Sequence, residues 1–219
     1  MKKQIITLIL IIFCLNGLFA RDEKYIQAMS ASISALNGLD KGQPAPKALQ
    51  EIANRFERIG AEQAREWLPC YYAALCYIKL GFVSENLAEK DRFLDLADAM
   101  LKQAETLAGK PNDELLILLA YAAQSRLAAD AMNRWEEYGE KFANHIQAAQ
   151  KLNPGNPRSY YLEGAGLFYT PEQYGGGKEA AKPTLSRAVA NYASFKPETT
   201  IHPDWGKEEA AWLLGECNK

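Results

Sequence analysis

Histidine is nearly missing from this sequence, with two residues in 219, and cysteine is scarce at four. His145 and His202 lie far apart, and neither has Cys or acidic neighbours at metal-ligand spacing, so the chain shows no zinc-site pattern. Cys14 falls in an apolar leader, which leaves Cys70, Cys76 and Cys217, an odd set that argues against a disulfide scaffold. In a helix Cys70 and Cys76 would point to different sides and stand ~9 Å apart along the axis, too far for a disulfide. Period-two alternation is absent, which excludes a sheet protein, and so is a basic excess, which removes the electrostatic reason to expect nucleic acid. No serine sits in a nucleophile elbow, and the acids of "WEEYGEK" and "ENLAEKD" read as solvated helix faces. No residue pattern therefore supports an enzyme, a metal site or a bound cofactor.

What the chain does have begins with its first twenty residues. Met1-Lys2-Lys3 is a positive start, "IITLILIIFCL" from Ile5 to Leu15 is an apolar core too short to span a bilayer, and Ala20 precedes an abrupt "RDEK". This layout predicts a cleaved secretory signal over 1–20 and a mature protein from Arg21, exported to the periplasm or beyond, with no stable membrane insertion. A lipoprotein signal needs a small residue before its cysteine, whereas Cys14 follows Phe13. Removing Lys2 and Lys3 from the 25 basic residues leaves 23 against 27 acidic, a net charge near −4.

The remainder is helix chemistry. Apolar residues recur at three- and four-residue steps among Ala, Leu, Glu, Lys and Gln. The pattern predicts helices at about 22–36, 45–60, 62–81, 86–108, 112–129, 131–152, 157–169, 178–195 and 204–217, with Asn112, Asn156 and Asp204 as N-caps. A register repeats within that run. Anchors at Cys70, Glu114 and Tyr160 are spaced by 44 and 46 residues, and anchors at Ala104, Ala148 and Ala188 by 44 and 40. A helix pair repeated at near-constant spacing predicts an all-α, right-handed α-solenoid. The expected organisation is a signal peptide over 1–20, an N-terminal helical pair over 21–61, and repeat units with a C-terminal capping helix over 62–219.

The segment "YTPEQYGGGKEAA", residues 169–181, tests for phosphate binding. A P-loop needs GxxxxGK followed by Ser or Thr, between a strand and a helix, but Glu179 follows Lys178 and a helix precedes the loop. The glycines instead predict a bend between helices, with Thr170 and Gln173 forming a capping box around Pro171 and a positive φ expected at Gly176.

Cys70, Ala73, Ala74, Tyr77 and Gly81 fall at the first-helix spacings of the tetratricopeptide repeat, and Glu163, Gly164 and Leu167 repeat part of that register. Ala97, Leu101 and Ala104, and again Ala181, Leu185 and Ala188, match its second helix, and Pro154 and Pro197 close their units. The region 62–217 thus resembles that family, and most of all its secreted, divergent members in Gram-negative bacteria. It departs in its longer period and in Lys141 and His145, which stand where Ala and a bulky apolar residue are expected.

The resemblance implies that first helices line a concave face. By register that face takes Leu68, Tyr71, Leu75, Ile78 and Lys79 from the first unit. Asn112, Leu115, Leu119, Ala122 and Ala123 come from the second, and Arg158, Tyr161, Ala165 and Phe168 from the third. Tyr71, Tyr161 and Phe168 are then expected to be partly exposed, and Tyr77, about 120° round the helix from Tyr71, buried. A groove with tyrosines and few charges suits a peptide or helix, so the expected function is a protein-interaction module. The alternative is a small-ligand or substrate-binding subunit of an envelope transport system.

Overall fold

The computed structural model describes residues 23–39 and 45–219. The expected signal peptide and the mature start at Arg21 lie outside the described residues. Among those residues the protein is all helix and turn, with no strand.

Helix α1 spans residues 23–37 and buries Met29, Ser32 and Leu36 along one stripe. Helix α2, Pro46–Glu62, starts on a proline that suits the first turn and buries Leu49, Ile52, Ala53 and Phe56 at i, i+3, i+4 and i+7. Helices α3 (Leu68–Val83), α4 (Leu87–Ala108), α5 (Asp113–Ala129) and α6 (Ala131–Leu152) follow, then α7 (Pro157–Tyr169), α8 (Lys178–Ser194) and α9 (Lys207–Cys217). Asn112 and Asn156 cap α5 and α7 as expected, each side-chain oxygen accepting from backbone amides of the first turn.

Four local expectations are corrected. The helix expected over 62–81 is broken, and α3 begins only at Leu68. The reason is Pro69, whose ring would collide with the carbonyl of Arg65 in a continuous helix but is accepted in a first turn. The last helix starts at Lys207, with Gly206 rather than Asp204 at its N-cap. No capping box forms in the glycine loop: Thr170 Oγ1 bonds back to the Gly166 carbonyl at 2.8 Å, and Pro171 precedes one 3₁₀ turn over Glu172–Tyr174. Positive φ falls on Gly175 and Gly177, not Gly176. Gly176 is required for a different reason, since a Cβ there would sit 2.1 Å from the Thr170 carbonyl oxygen.

Each helix from α2 to α9 packs on the next, and α3 also touches α5, α5 touches α7, and α7 touches α9. Alternate helices therefore share one side of the molecule. One large cluster joins α1, α2, α3, α4 and the start of α5, and smaller ones join α5–α6–α7 and α7–α8–α9. Cys70, Cys76 and Cys217 are free and buried, and burial pushes the Cys76 thiol up to about 12, as befits an inert packing residue. Tyr77 is buried as expected, its hydroxyl donating to Glu57 at 2.8 Å.

Candidate binding face

The side shared by α3, α5 and α7 is crossed by residues 195–206, the connection from α8 to α9, which has no helix of its own. Two residues tie this strap down. The Ile201 carbonyl accepts from the Tyr72 hydroxyl at 3.1 Å, and the Trp205 carbonyl accepts from Tyr192 at 2.7 Å. The Trp205 side chain then turns inward, and its indole Nε1 donates to the Tyr71 hydroxyl at 2.8 Å.

This places four rings from four elements side by side. Phe82 of α3 lies 5.2 Å from Tyr121 of α5, Tyr121 stacks on Trp205 at 5.8 Å and 19°, and Trp205 meets Tyr161 of α7 edge-on at 6.3 Å. All four are half-buried, so each keeps part of its surface toward solvent. Phe168 and Tyr169 continue the row as an edge-to-face pair at 5.1 Å, with Tyr169 68% exposed. On α9, Glu209 acts electrostatically on the Tyr121 and Tyr161 phenols, and Trp212, 57% exposed, follows it on the same flank by helix register. Burial, with Glu209 adding to it, pushes both phenols well above their usual range, so they stay protonated at neutral pH. The arrangement is a row of aromatic rings with neutral polar tips, suited to stacking against a flat apolar group.

Beneath the face lies a buried ion pair. Arg158, 0% exposed, grips Glu114 with both Nε and Nη2, the Nε–Oε2 distance being 2.9 Å. Asn156 Nδ2 donates to Glu114 at 2.6 Å and to Asp113 at 2.8 Å, and Tyr71 donates to Glu114 Oε2 at 3.3 Å. The Arg158 guanidinium lies over Phe195 at 4.5 Å and near Trp205 at 5.9 Å. Burial alone would lower its pKa, but the Glu114 carboxylate outweighs burial and holds it above the ordinary arginine range. The pair locks α5 to α7 and the strap to both.

The face expected from the sequence is only partly the face that exists. Tyr161 and Phe168 are half-buried, as anticipated, and Tyr161 sits in the aromatic row. Tyr71 is not exposed but wholly buried under Trp205, and Leu68, Leu75, Ile78, Leu115 and Arg158 are buried as well. The cause is covering: α1, α2 and the strap close over α3, and Arg158 is drawn inward by Glu114. Asn112 spends its side chain capping α5, and Lys79 and Leu119 are half-buried. Phe82, Tyr121 and Trp205 did not emerge from the register. The available signal for Trp205 was "HPDWG", a tryptophan in a proline- and glycine-bounded loop, which must find a packing partner to be kept there.

Among the described residues no group of three or more His, Cys, Asp or Glu is placed to hold a metal ion, and no helix is long and apolar enough to cross a membrane. His202 is engaged within the strap, Nδ1 with Thr199 Oγ1 at 2.7 Å and Nε2 facing Glu198 at 3.3 Å.

No family model and no curated protein sequence matches the chain. Among solved structures, the HusA haemophore from Porphyromonas gingivalis aligns with a TM-score of 0.77 and 35% sequence identity. The alignment covers 88% of this chain and 92% of the haemophore. The relative is matched along nearly its whole length, with the helical fold in common, so the protein belongs to the family of the HusA haemophore.

Proposed function

We propose that this protein is an exported carrier that binds haem, or a closely related porphyrin, against the aromatic row of Phe82, Tyr121, Trp205 and Tyr161. The single observation that carries this reading is that row, half-buried and drawn from four elements, in a chain 35% identical to a haemophore. A porphyrin is a broad, flat, largely apolar ring, and rings stacked on aromatic side chains gain about 1–3 kcal/mol per stacked base in the analogous nucleic-acid case. The rings come with low rotational entropy because each is clamped by its neighbours, so little ordering opposes binding.

The same geometry weighs against a peptide-capturing scaffold. The place where a peptide would lie across α3 is already filled by the protein's own strap, with Ile201 and Trp205 bonded to Tyr72 and Tyr71. In this reading the helix pairs stack as a tetratricopeptide-like solenoid, with α3, α5 and α7 inside and the strap laid along their face. The protein works as a binding component of the envelope, without catalysis of its own.

The test is a titration of the mature protein with haemin, followed by the Soret band. The expected result is saturation at a fixed stoichiometry with a Kd below about 10 µM, near −7 kcal/mol. A folded protein that leaves the Soret band of haemin unchanged overturns the proposal.

A further inference from the structure

Trp205 is the one ring of the row carried by a segment without regular secondary structure. Its backbone is held by the Tyr192 hydroxyl on its carbonyl and by Gly206, at φ +95°, where a Cβ would run into the Tyr192 hydroxyl and the Tyr161 ring. That backbone anchor does not by itself set the indole's two torsions, which the Tyr121 and Tyr161 rings narrow from either side. What fixes the ring is at its far end, the 2.8 Å bond from Nε1 to the Tyr71 hydroxyl.

The direction of that bond is dictated from below. Arg158 can only donate and Glu114 can only accept, so the single phenolic proton of Tyr71 points to Glu114 Oε2. The remaining lone pairs of the Tyr71 oxygen can then receive only a donor, and an indole N–H is a donor and nothing else. Tyr71 itself cannot swing, being wholly buried and wedged edge-on between Trp67 at 5.7 Å and Tyr72 at 5.2 Å. Donation therefore runs one way from the surface ring inward, Trp205 to Tyr71 to Glu114, and ends at the carboxylate that Arg158 holds from its other side.

We propose that Tyr71 is a positioning residue for the binding face: its hydroxyl sets the Trp205 indole in the plane that stacks on Tyr121, so that a flat ligand meets a preformed wall. The inference rests on the haem-carrier reading above. Removing the hydroxyl leaves the ring of Tyr71 and its packing in place but strands the indole N–H, which then turns to find another acceptor or water.

The experiment is a double-mutant cycle of Tyr71→Phe and Trp205→Phe, read by haemin affinity, by urea unfolding and by the Trp205 indole N–H resonance. Tyr71→Phe is expected to shift that resonance and weaken haemin binding by about tenfold. In the Trp205→Phe background the same change is expected to weaken binding no further. Tyr77→Phe, which removes a comparable hydroxyl–carboxylate bond from the same helix, is expected to leave haemin affinity unchanged. Should Tyr71→Phe not fold, the wild-type Trp205 indole N–H decides instead: slow exchange with solvent is expected from its bond to Tyr71, and exchange as fast as that of the exposed Trp135 indole overturns the inference. The inference is overturned if Tyr71→Phe lowers the urea midpoint with wild-type affinity, or if its effect on affinity persists in full without Trp205. Wild-type protein that ignores haemin overturns the carrier reading itself, and this one with it, before any variant is compared.

Discussion

Helices α3 and α6 are the first helix of one repeat unit and the second helix of the next, and they have opposite fates. Of the 16 residues of α3, 13 are buried, whereas the 22 of α6 bury only Ile146 and Ala149 and leave Met132 and Trp135 90% and 65% exposed. Helix α3 has α2 and α4 on its flanks, α5 beside it and the strap across its remaining side. Helix α6 has α5 and α7 and open solvent. A face assigned by register is a surface only if nothing else in the chain comes to lie on it, and for α3 something does.

The sharpest way to break that contrast is to remove its buried charge. Arg158→Met leaves Glu114 without its cation, and a loss of ~3–5 kcal/mol in urea unfolding is expected, as for other broken buried pairs. The combined change Arg158→Met with Glu114→Gln should recover part of that loss, since no uncompensated carboxylate remains. A single variant that unfolds at the wild-type midpoint would mean the pair is not desolvated.

Next comes the direct comparison of aromatic residues on the two helices. Tyr71→Ala empties a fully buried site and should lose ~3–5 kcal/mol. Trp135→Ala, the larger truncation, should stay within about 0.5 kcal/mol because its ring is already in water. Equal losses, measured by the same unfolding curves, would erase the distinction between the two helices.

A smaller effect is expected at the loop between α7 and α8. Gly176→Val forces a Cβ against the Thr170 carbonyl, and a loss of ~1–3 kcal/mol should follow from the displaced turn. Lys178→Ala, at the first residue of α8, should change neither stability nor any nucleotide-dependent signal. A Gly176→Val protein as stable as wild type would show that the turn yields freely.

The smallest effect belongs to the exposed helix. His145 of α6 is half-buried, and burial lowers its pKa, with Glu105 opposing and Lys141 assisting. The folded state therefore releases its proton at lower pH than the unfolded state does. The associated stability is complete above the unfolded pKa of ~6.5 and declines as pH falls toward the lower folded value. Wild type should lose more stability than His145→Gln between about pH 7.5 and pH 5. Parallel pH curves for the two proteins would contradict the shift.

The contrast also explains what could be read from sequence. Helix positions were legible because their causes are local: Asn112 and Asn156 cap, apolar steps of three and four mark the buried stripes, and prolines and glycines punctuate. Even the start of α3, later than periodicity alone implies, has a local cause in Pro69. Depth was not legible, because its causes are remote. The bond that buries Tyr71 joins it to a residue 134 positions away, the one that seats Ile201 spans 129, and the partner that draws Arg158 inward lies 44 positions before it. Tyr161 could be placed in the candidate face since the strap meets its ring only edge-on and leaves it half-buried. Phe82, Tyr121 and Trp205 needed the strap's path, which no periodicity encodes.

The most direct measurement of the central claim uses haemin as a paramagnetic probe of the labelled mature protein. The account predicts that bound haemin broadens the resonances of Phe82, Tyr121, Tyr161 and the Trp205 indole while leaving the exposed Trp135 indole of α6 sharp. Broadening centred on Trp135, with the Trp205 row untouched, would contradict it.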